Sequence, residues 1–413
     1  MSGDILDVLI VGGGPAGACI GALLARSRSS DARRFRVAVL EPRRPSPGSG
    51  NAPIDSRVVA ISRASERIIQ AAGAWERISG SRMCAYERMR VWHESVGPRD
   101  EGALIFDAAE AGEPNLGRVV ESRLLQAALL DAFVDAGGSI EPATLTSLEF
   151  EAGRVRAETS GGALSARLVI GADGAQSAVR KAVGLTAESS DYRQTAIVAN
   201  VATERHHENT AWQRFLRDGT LALLPLADGT SSIVWSADDE VASVLLAASP
   251  EEFAVELTRA SDSALGATQL VTERASFPLH RLAAQRYAVH RCALIGDAAH
   301  VVHPLAGQGV NLGLLDAAAL AQTLIDARRE QEDPGAVRVL RQYERWRKSE
   351  VAIMGTAIDA FDRFLAHGSG PLARLAQQGL GWVNRSQEIK RFFIGRALGV
   401  SGELPRAARV TGA

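Results

Sequence analysis

The residues of this chain best suited to hold a phosphorylated, planar ligand fall in three glycine-rich segments. They are Gly12-Gly13-Gly14-Pro15-Ala16-Gly17, Gly171-Ala172-Asp173-Gly174, and Gly296-Asp297-Ala298-Ala299-His300 running into Pro304-Leu305-Ala306-Gly307-Gln308-Gly309. The first follows the apolar run Asp7-Val8-Leu9-Ile10-Val11 and precedes the small and aliphatic residues Ala18 to Ala25, the pattern of strand, tight turn and close-packed helix. Gly12 permits the turn, Gly14 lets the backbone approach a pyrophosphate, and Gly17 lets the helix lie against the strand. Pro15 and Ala16 open that helix, whose unpaired N–H groups meet the phosphates. A second strand, Arg36 to Leu40, ends in Glu41, an acceptor for ribose hydroxyls about 20 residues beyond the glycines.

The second segment joins the strand Leu168-Val169-Ile170 to a helix over Ser177 to Val183. Asp173 there either caps the helix or belongs to a turn that approaches the flavin or the reduced nicotinamide donor. The third follows the strand Arg291 to Ile295 and precedes a helix over Val310 to Ile325. Asp297 can accept a ribityl hydroxyl, and the small residues from Pro304 to Gly309 let backbone lie against a planar ring. The helix N-terminus would favour negative charge on the edge of a reduced flavin. Taken together, the three segments predict an FAD enzyme.

Composition agrees with an intracellular globular enzyme. The 413 residues are 46% hydrophobic, enough for two or three domains, and 46 Lys and Arg nearly cancel 48 Asp and Glu. No global field favours nucleic acid. Cys19, Cys84 and Cys292 are too scattered for a disulfide framework or a metal cluster, so no metal is expected. Asp4 and Asp7 and the lack of a basic leader argue against an export signal, and no uninterrupted apolar stretch of about 20 residues suggests a spanning helix.

The predicted class is mixed α/β. A discontinuous Rossmann-like FAD-binding domain takes residues 1–75, 111–184 and 276–350. An interleaved antiparallel-sheet substrate domain takes 76–110 and 185–275, and a helical region takes 351–413. Val58 to Ala74 reads as a helix, and Arg123 to Ala136 as another. Strands are expected at Met89 to Trp92, Ala103 to Phe106, Leu145 to Phe150, Arg154 to Thr159, Ala196 to Val201, Ala211 to Leu216, Leu221 to Leu224 and Ser232 to Trp235. From Pro371 to Ala413 seven basic residues face two acidic ones, with Trp382, Phe392 and Phe393 among them. This segment is read either as an amphipathic membrane-surface or partner-docking element or as a core helix with a solvated basic face.

Several motifs carry a resemblance beyond the glycines. Asp55-Ser56-Arg57-Val58-Val59-Ala60, Arg90-Val91-Trp92, Val120-Glu121-Ser122-Arg123-Leu124-Leu125, Trp212-Gln213-Arg214-Phe215, Leu224-Pro225-Leu226, Phe277-Pro278-Leu279, His300 to Gly313 and Tyr343-Glu344-Arg345-Trp346-Arg347 resemble the ubiquinone-biosynthesis hydroxylase family. That family lies within the aromatic-hydroxylase class of flavoprotein monooxygenases. His93 after Trp92, and Arg118, depart from its usual pattern.

The resemblance implies hydroxylation of a polyprenylated phenol with FAD, dioxygen and NAD(P)H as a transient co-substrate, through a hydroperoxide at the flavin C4a. It carries Gly12, Gly14, Gly17 and Glu41 to the ADP half, Arg123 to the pyrophosphate side and Asp297 to the ribityl chain. Gly307, Gln308, Gly309, Val310 and Asn311 fall to the isoalloxazine, with Arg57 a further flavin contact. No side chain stands out as an essential base. His300 and His303 flank the flavin loop and can either relay a phenolic proton or fix the loop. A lipid-like substrate implies a cytoplasmic enzyme at the periphery of the inner membrane, or docked in a biosynthetic complex through the C-terminal region. A prenyl-chain reductase, a halogenase and a non-catalytic FAD-binding scaffold remain open alternatives. No tryptophan-rich halogenase signature surrounds Trp212 or Trp235.

Overall fold

The computed structural model describes residues 5–27, 34–46, 52–78, 80–303, 307–361, 395, 398–399 and 402–410. The chain begins β1 (Leu6–Val11), α1 (Pro15–Arg26), β2 (Val37–Leu40). It continues through β3 (Val58–Ser62), α2 (Arg63–Ala71), β4 (Met83–Tyr86), β5 (Arg88–His93), β6 (Leu104–Asp107) and β7 (Gly117–Glu121). Next come α3 (Ser122–Asp135), β8 (Ser139–Glu141), β9 (Leu145–Phe150), β10 (Val155–Thr159), β11 (Gly162–Gly171) and α4 (Ala178–Ala182). A meander follows of β12 (Ala187–Thr203), β13 (Thr210–Leu216), β14 (Gly219–Pro225) and β15 (Ser231–Asp238), then α5 (Asp239–Ala247) and α6 (Pro250–Ala260). The rest is β16 (Thr268–Leu270), β17 (Ala275–Ala284), β18 (Ala288–Val289), β19 (Cys292–Leu294), β20 (His300–Val301), α7 (Gln308–Arg329) and α8 (Val337–Phe361).

Two large sheets organise these elements. In the first, the order is β18-β19-β11-β1-β2-β8, with β1 parallel to both β11 and β2. Strands flanked on both sides and covered on both faces must be apolar throughout, which explains the unbroken run Val8 to Val11. Helices α1, α3 and α7 pack together over this sheet. In the second, β20-β17-β12-β15-β14-β13-β5-β6 run mostly antiparallel, except that β13 and β5 pair in parallel. One face of it buries Trp212, Leu223, Ile233 and Trp235 with Phe253 and Leu257 of α6. The other face borders a cavity. A three-stranded sheet, β3-β7-β4, lies among the described residues as well.

Two sequence expectations need correction. Residues 58–74 are not one helix, since Val58 to Ser62 form β3 paired with β7, and only Arg63 to Ala71 are helical. The β-branched Val58, Val59 and Ile61 favour the strand. Ser62 then stops it by accepting the Ser65 N–H as a helix cap. The second large sheet also extends beyond its expected strands into β17, and α5 and α6 cover it. Helix α7 is long and apolar enough by composition to cross a membrane, and 72% of its apolar window is buried inside the protein. Most of the basic segment expected at Pro371 to Ala413 lies outside the described residues. Within the described part, Arg406 pairs with Asp326 and the Trp346 Nε1–H donates to the Glu403 carbonyl at 2.9 Å, which docks the tail on α7 and α8.

Candidate functional site

At the end of β1 the chain turns at Gly12, whose φ is +102°, a conformation that favours glycine. A Cβ there would lie 2.4 Å from the Ala172 carbonyl oxygen, and one on Gly17 would lie 2.0 Å from the Gly12 carbonyl oxygen. The two glycines thus bring β1, the start of α1 and the Gly171–Gly174 turn into contact. Gly14 is the N-cap of α1, with no side-chain cap and nothing within 4 Å of the space a Cβ would take. The Gly13 N–H donates to Glu41 Oε2 at 2.9 Å, and Gln126 Nε2 donates to the Gly13 carbonyl at 2.9 Å. Glu41 and Gln126 also line a cleft of about 590 Å³ with Gly12, Gly14, Pro15 and Ala16. Gln126 went unread in the sequence. Its signal was one polar residue interrupting the apolar run Leu124 to Leu130.

The Gly171–Gly174 turn joins this cleft. Asp173 lines it and caps α4 as well, accepting from the Ser177 hydroxyl at 2.5 Å and the Val179 N–H at 3.1 Å. Both roles raised by the sequence are compatible with this one side chain. Buried Arg180 was unforeseen. Its guanidinium donates to the Ala298 carbonyl at 2.7 Å and the Ala175 carbonyl at 2.6 Å, tying the second segment to the third.

In the third segment, the Gly296 N–H donates to Asp316 Oδ2 at 3.0 Å. Asp316 is fully buried. It meets His300 Nε2 at 2.5 Å and accepts from Arg347 Nε at 2.7 Å. Burial alone would raise the Asp316 carboxyl, but the His300 and Arg347 charges outweigh it and hold the group below the usual carboxylate range. Asp297 is open to the cleft yet packed round with protein, and this burial pushes its carboxyl up. Pro304, with Leu305 and Ala306, lies outside the described residues. Gly307 starts α7 in the left-handed region, again with no side-chain cap. Asn311 spends its amide on backbone, accepting from the Ser62 N–H at 2.9 Å and donating to the Ala60 and Gly307 carbonyls at 2.9 and 3.1 Å. It therefore fixes the 307–311 turn against β3.

A second cavity, about 480 Å³, lies between that turn and the open face of the second large sheet. Gln308 and Arg57 line it, as do Met89, Phe106, Leu116, Leu224 and Phe277. Asp297, Gly309 and Val310 line both cavities, so the two meet at the third segment. Tyr86 lines the second cavity as well, its phenol pushed up to about 12 by burial, so that it stays protonated at neutral pH. His300 and His303 line neither cavity. His303 is buried against Tyr192, its Nε2 3.1 Å from Gln194 Oε1. Arg123 lies apart too, 3.3 Å from Asp55 beside a smaller cavity. In that cavity the buried pair Arg82–Glu121 holds the 52–55 backbone, through Arg82 to the Ala52 carbonyl and Glu121 to the Asp55 N–H.

The residues present fit FAD. Helices α1 and α7 start at the two cavities with no side-chain cap, which leaves their first N–H groups to whatever occupies the space. The family model of the FAD binding domain matches residues 5–354. The ubiquinone hydroxylase UbiL of Rhodospirillum rubrum is 37% identical, over 98% of this chain and 93% of its own. The 3-demethoxyubiquinol 3-hydroxylase of Escherichia coli is 33% identical, over 97% and 100%. The mitochondrial ubiquinone biosynthesis monooxygenase COQ6 of Homo sapiens is 31% identical, over 94% and 91%. Among solved structures, p-nitrophenol 4-monooxygenase PnpA from Pseudomonas putida DLL-E4 shares the fold with a TM-score of 0.75 at 20% identity, over 95% of this chain and 98% of that one.

Fold and relatives define an FAD-dependent enzyme of the aromatic-hydroxylase class. FAD is its cofactor, and NAD(P)H is the reductant typical of such enzymes. Within that class, the chain belongs to the ubiquinone-biosynthesis hydroxylase family.

Proposed function

We propose that this enzyme hydroxylates the aromatic ring of a polyprenylated phenol in ubiquinone biosynthesis, consuming NAD(P)H and dioxygen. The observation that carries the reading is the 480 Å³ cavity, mostly hydrocarbon-lined, that shares Asp297, Gly309 and Val310 with the dinucleotide cleft. When bound, FAD supplies reduction by NAD(P)H and activation of dioxygen. The chain's own residues bind, orient and exclude water.

In this proposal Gly12, Gly14, Pro15, Ala16 and Gly17 seat the pyrophosphate at the start of α1, Glu41 accepts from the ribose, and Asp173 borders the same cleft. Asp297 takes the ribityl chain. Gly307 to Val310 would face the ring, Asn311 would hold that turn from behind, and the N-terminus of α7 favours negative charge there. Arg57, exposed on the wall of the same cavity, is a further flavin contact. Arg123 reaches the pyrophosphate side only by leaving Asp55, and such an exposed pairing holds it weakly. His300 and His303 serve as loop-fixing groups. Residues 1–75, 111–184 and 276–350 bind FAD, apart from β17, which joins 76–110 and 185–275 in the substrate sheet, and 351–413 meet the membrane surface or a biosynthetic partner.

The test is anaerobic mixing of the purified protein with NADPH and a short-chain prenylphenol, followed by labelled dioxygen and mass spectrometry. A product heavier by one labelled oxygen supports the proposal. Reduction yielding only hydrogen peroxide would remove this substrate, and flavin that NADPH cannot reduce would point to a binding scaffold.

A further inference from the structure

The sheet wall of the apolar cavity carries polar side chains that the fold itself does not use, and two of them, Gln213 and Ser236, are open to the cavity. Gln213 stands opposite Ala222, and Ala222 opposite Val234. One step along, Thr220 stands opposite Ser236. Gln213 and Ser236 both line the cavity, 5% and 4% exposed. Among the described residues, neither side chain hydrogen-bonds to the protein. Between them Thr220 Oγ1 is sealed off, also without a partner. Buried amides and hydroxyls are almost always satisfied. Thr220 and Ser232 keep their hydroxyls sealed, so the open pair, set among Met89, Leu224, Val234 and Phe277, is the part of the wall that needs partners once a ligand displaces the water.

Register fixes what can supply those partners. Gln213 and Ser236 are two strands apart and one step out of line, about 12 Å between Cα atoms by ordinary sheet spacings. Both side chains reach inward from these positions, which leaves room between them for one ring. Beyond Ser236 the next step pairs Gln194 with Asp238, and Gln194 meets His303 ahead of the 307–311 turn. Met89 and Phe106 lie towards the opposite edge of the sheet, where a hydrocarbon tail can run.

Resting on the function proposed above, we propose that Gln213 and Ser236 are specificity-determining residues. They hydrogen-bond oxygen substituents on two edges of the substrate ring and so set which ring carbon faces the 307–310 turn. A polar ring lacking such substituents gains nothing from them, and a plain prenylbenzene binds by its hydrocarbon alone.

The test titrates the FAD-loaded protein with a short-chain prenylated methoxyphenol and with the matching prenylbenzene, following the flavin absorbance. Ser236→Ala and Gln213→Met should each weaken phenol binding about tenfold and leave prenylbenzene binding within about twofold, with flavin content unchanged. Ser236→Ala removes one small oxygen and keeps the test open if Gln213→Met fails to fold. Unchanged phenol binding in a folded variant, or equal losses for both ligands, would overturn the inference while leaving the hydroxylase reading intact. A parent protein that binds no prenylphenol would overturn both.

Discussion

Two buried polar regions of this protein are built on opposite terms. Around Asp316, the carboxylate meets His300, Arg347 and the Gly296 N–H, and the group is sealed. Across the substrate cavity, Gln213 and Ser236 are nearly as buried yet have no such partners. The first is architecture, because a carboxylate met by three groups of the chain holds one geometry whether or not a ligand is present. The second is incomplete without something in the cavity. The Asp316 carboxylate is met by the chain, whereas the polar groups on the cavity wall are left for whatever fills the cavity.

Breaking the ion-paired region should have the largest effect. Asp316→Asn leaves the Arg347 charge buried without its counter-ion, a loss of about 3–5 kcal/mol in stability, measurable by chemical denaturation. Because the folded-state carboxyl is lowered, its contribution is fully present above the unfolded-state pKa and is lost as pH falls through the folded value. The parent should therefore lose stability more steeply in acid than the variant. Equal stability at neutral pH would show that the network holds nothing.

Gly12→Ala comes next. It forces a side chain into the left-handed region and against the Ala172 carbonyl, at a cost of order 1–3 kcal/mol, and it disturbs the turn on which the pyrophosphate rests. The purified variant should carry little flavin by absorbance. Full flavin content would mean that the cleft at α1 is not the dinucleotide site.

This asymmetry also explains what was legible in the sequence. A phosphate turn constrains backbone, and backbone constraints appear as glycines at fixed spacing, so Gly12, Gly14, Gly17 and the Gly307–Gly309 turn could be read directly. Side chains that close a site over long sequence distances leave no local pattern. Asn311 meets Ser62, and Asn200 donates to the Ile54 carbonyl at 2.8 Å, through contacts that no window of sequence contains. Arg180, Arg82 and Arg347 are of the same kind. The helical reading of 58–74 failed for another reason, because apolar residues at mixed spacings hid the strand-to-helix junction at Ser62. Helix α6, by contrast, carried a legible start in Ser249-Pro250-Glu251-Glu252, a capping box with proline at the first turn.

Asp297→Asn sharpens the comparison, since Asp297 is the one carboxylate open to both cavities. Its folded-state carboxyl is raised by burial, so the protein pays for ionising it as pH rises through that value. The amide removes this penalty and one charged acceptor together. Apoprotein melting temperature at neutral pH should rise, while FAD affinity falls about tenfold by fluorescence titration, roughly 1.4 kcal/mol. A fall in both would make Asp297 a structural residue of the same kind as Asp316.

The smallest effect belongs to the far side of the substrate sheet, where α6 packs behind the wall that bears Gln213 and Ser236. Ser249 caps this helix, accepting the Glu252 N–H at 3.2 Å while Glu252 accepts the Ser249 N–H at 2.8 Å. Ser249→Ala should cost about 1 kcal/mol by chemical denaturation, because the first turn loses one partner and the helix keeps its apolar face. Phe253 and Leu257 hold α6 against Trp235, so the wall should keep its register. Phenol binding and flavin content should both stay at parental values. A shift in phenol binding would show that the cavity wall follows α6, and the open polar pair would then depend on packing behind the sheet as well as on the ligand in front of it.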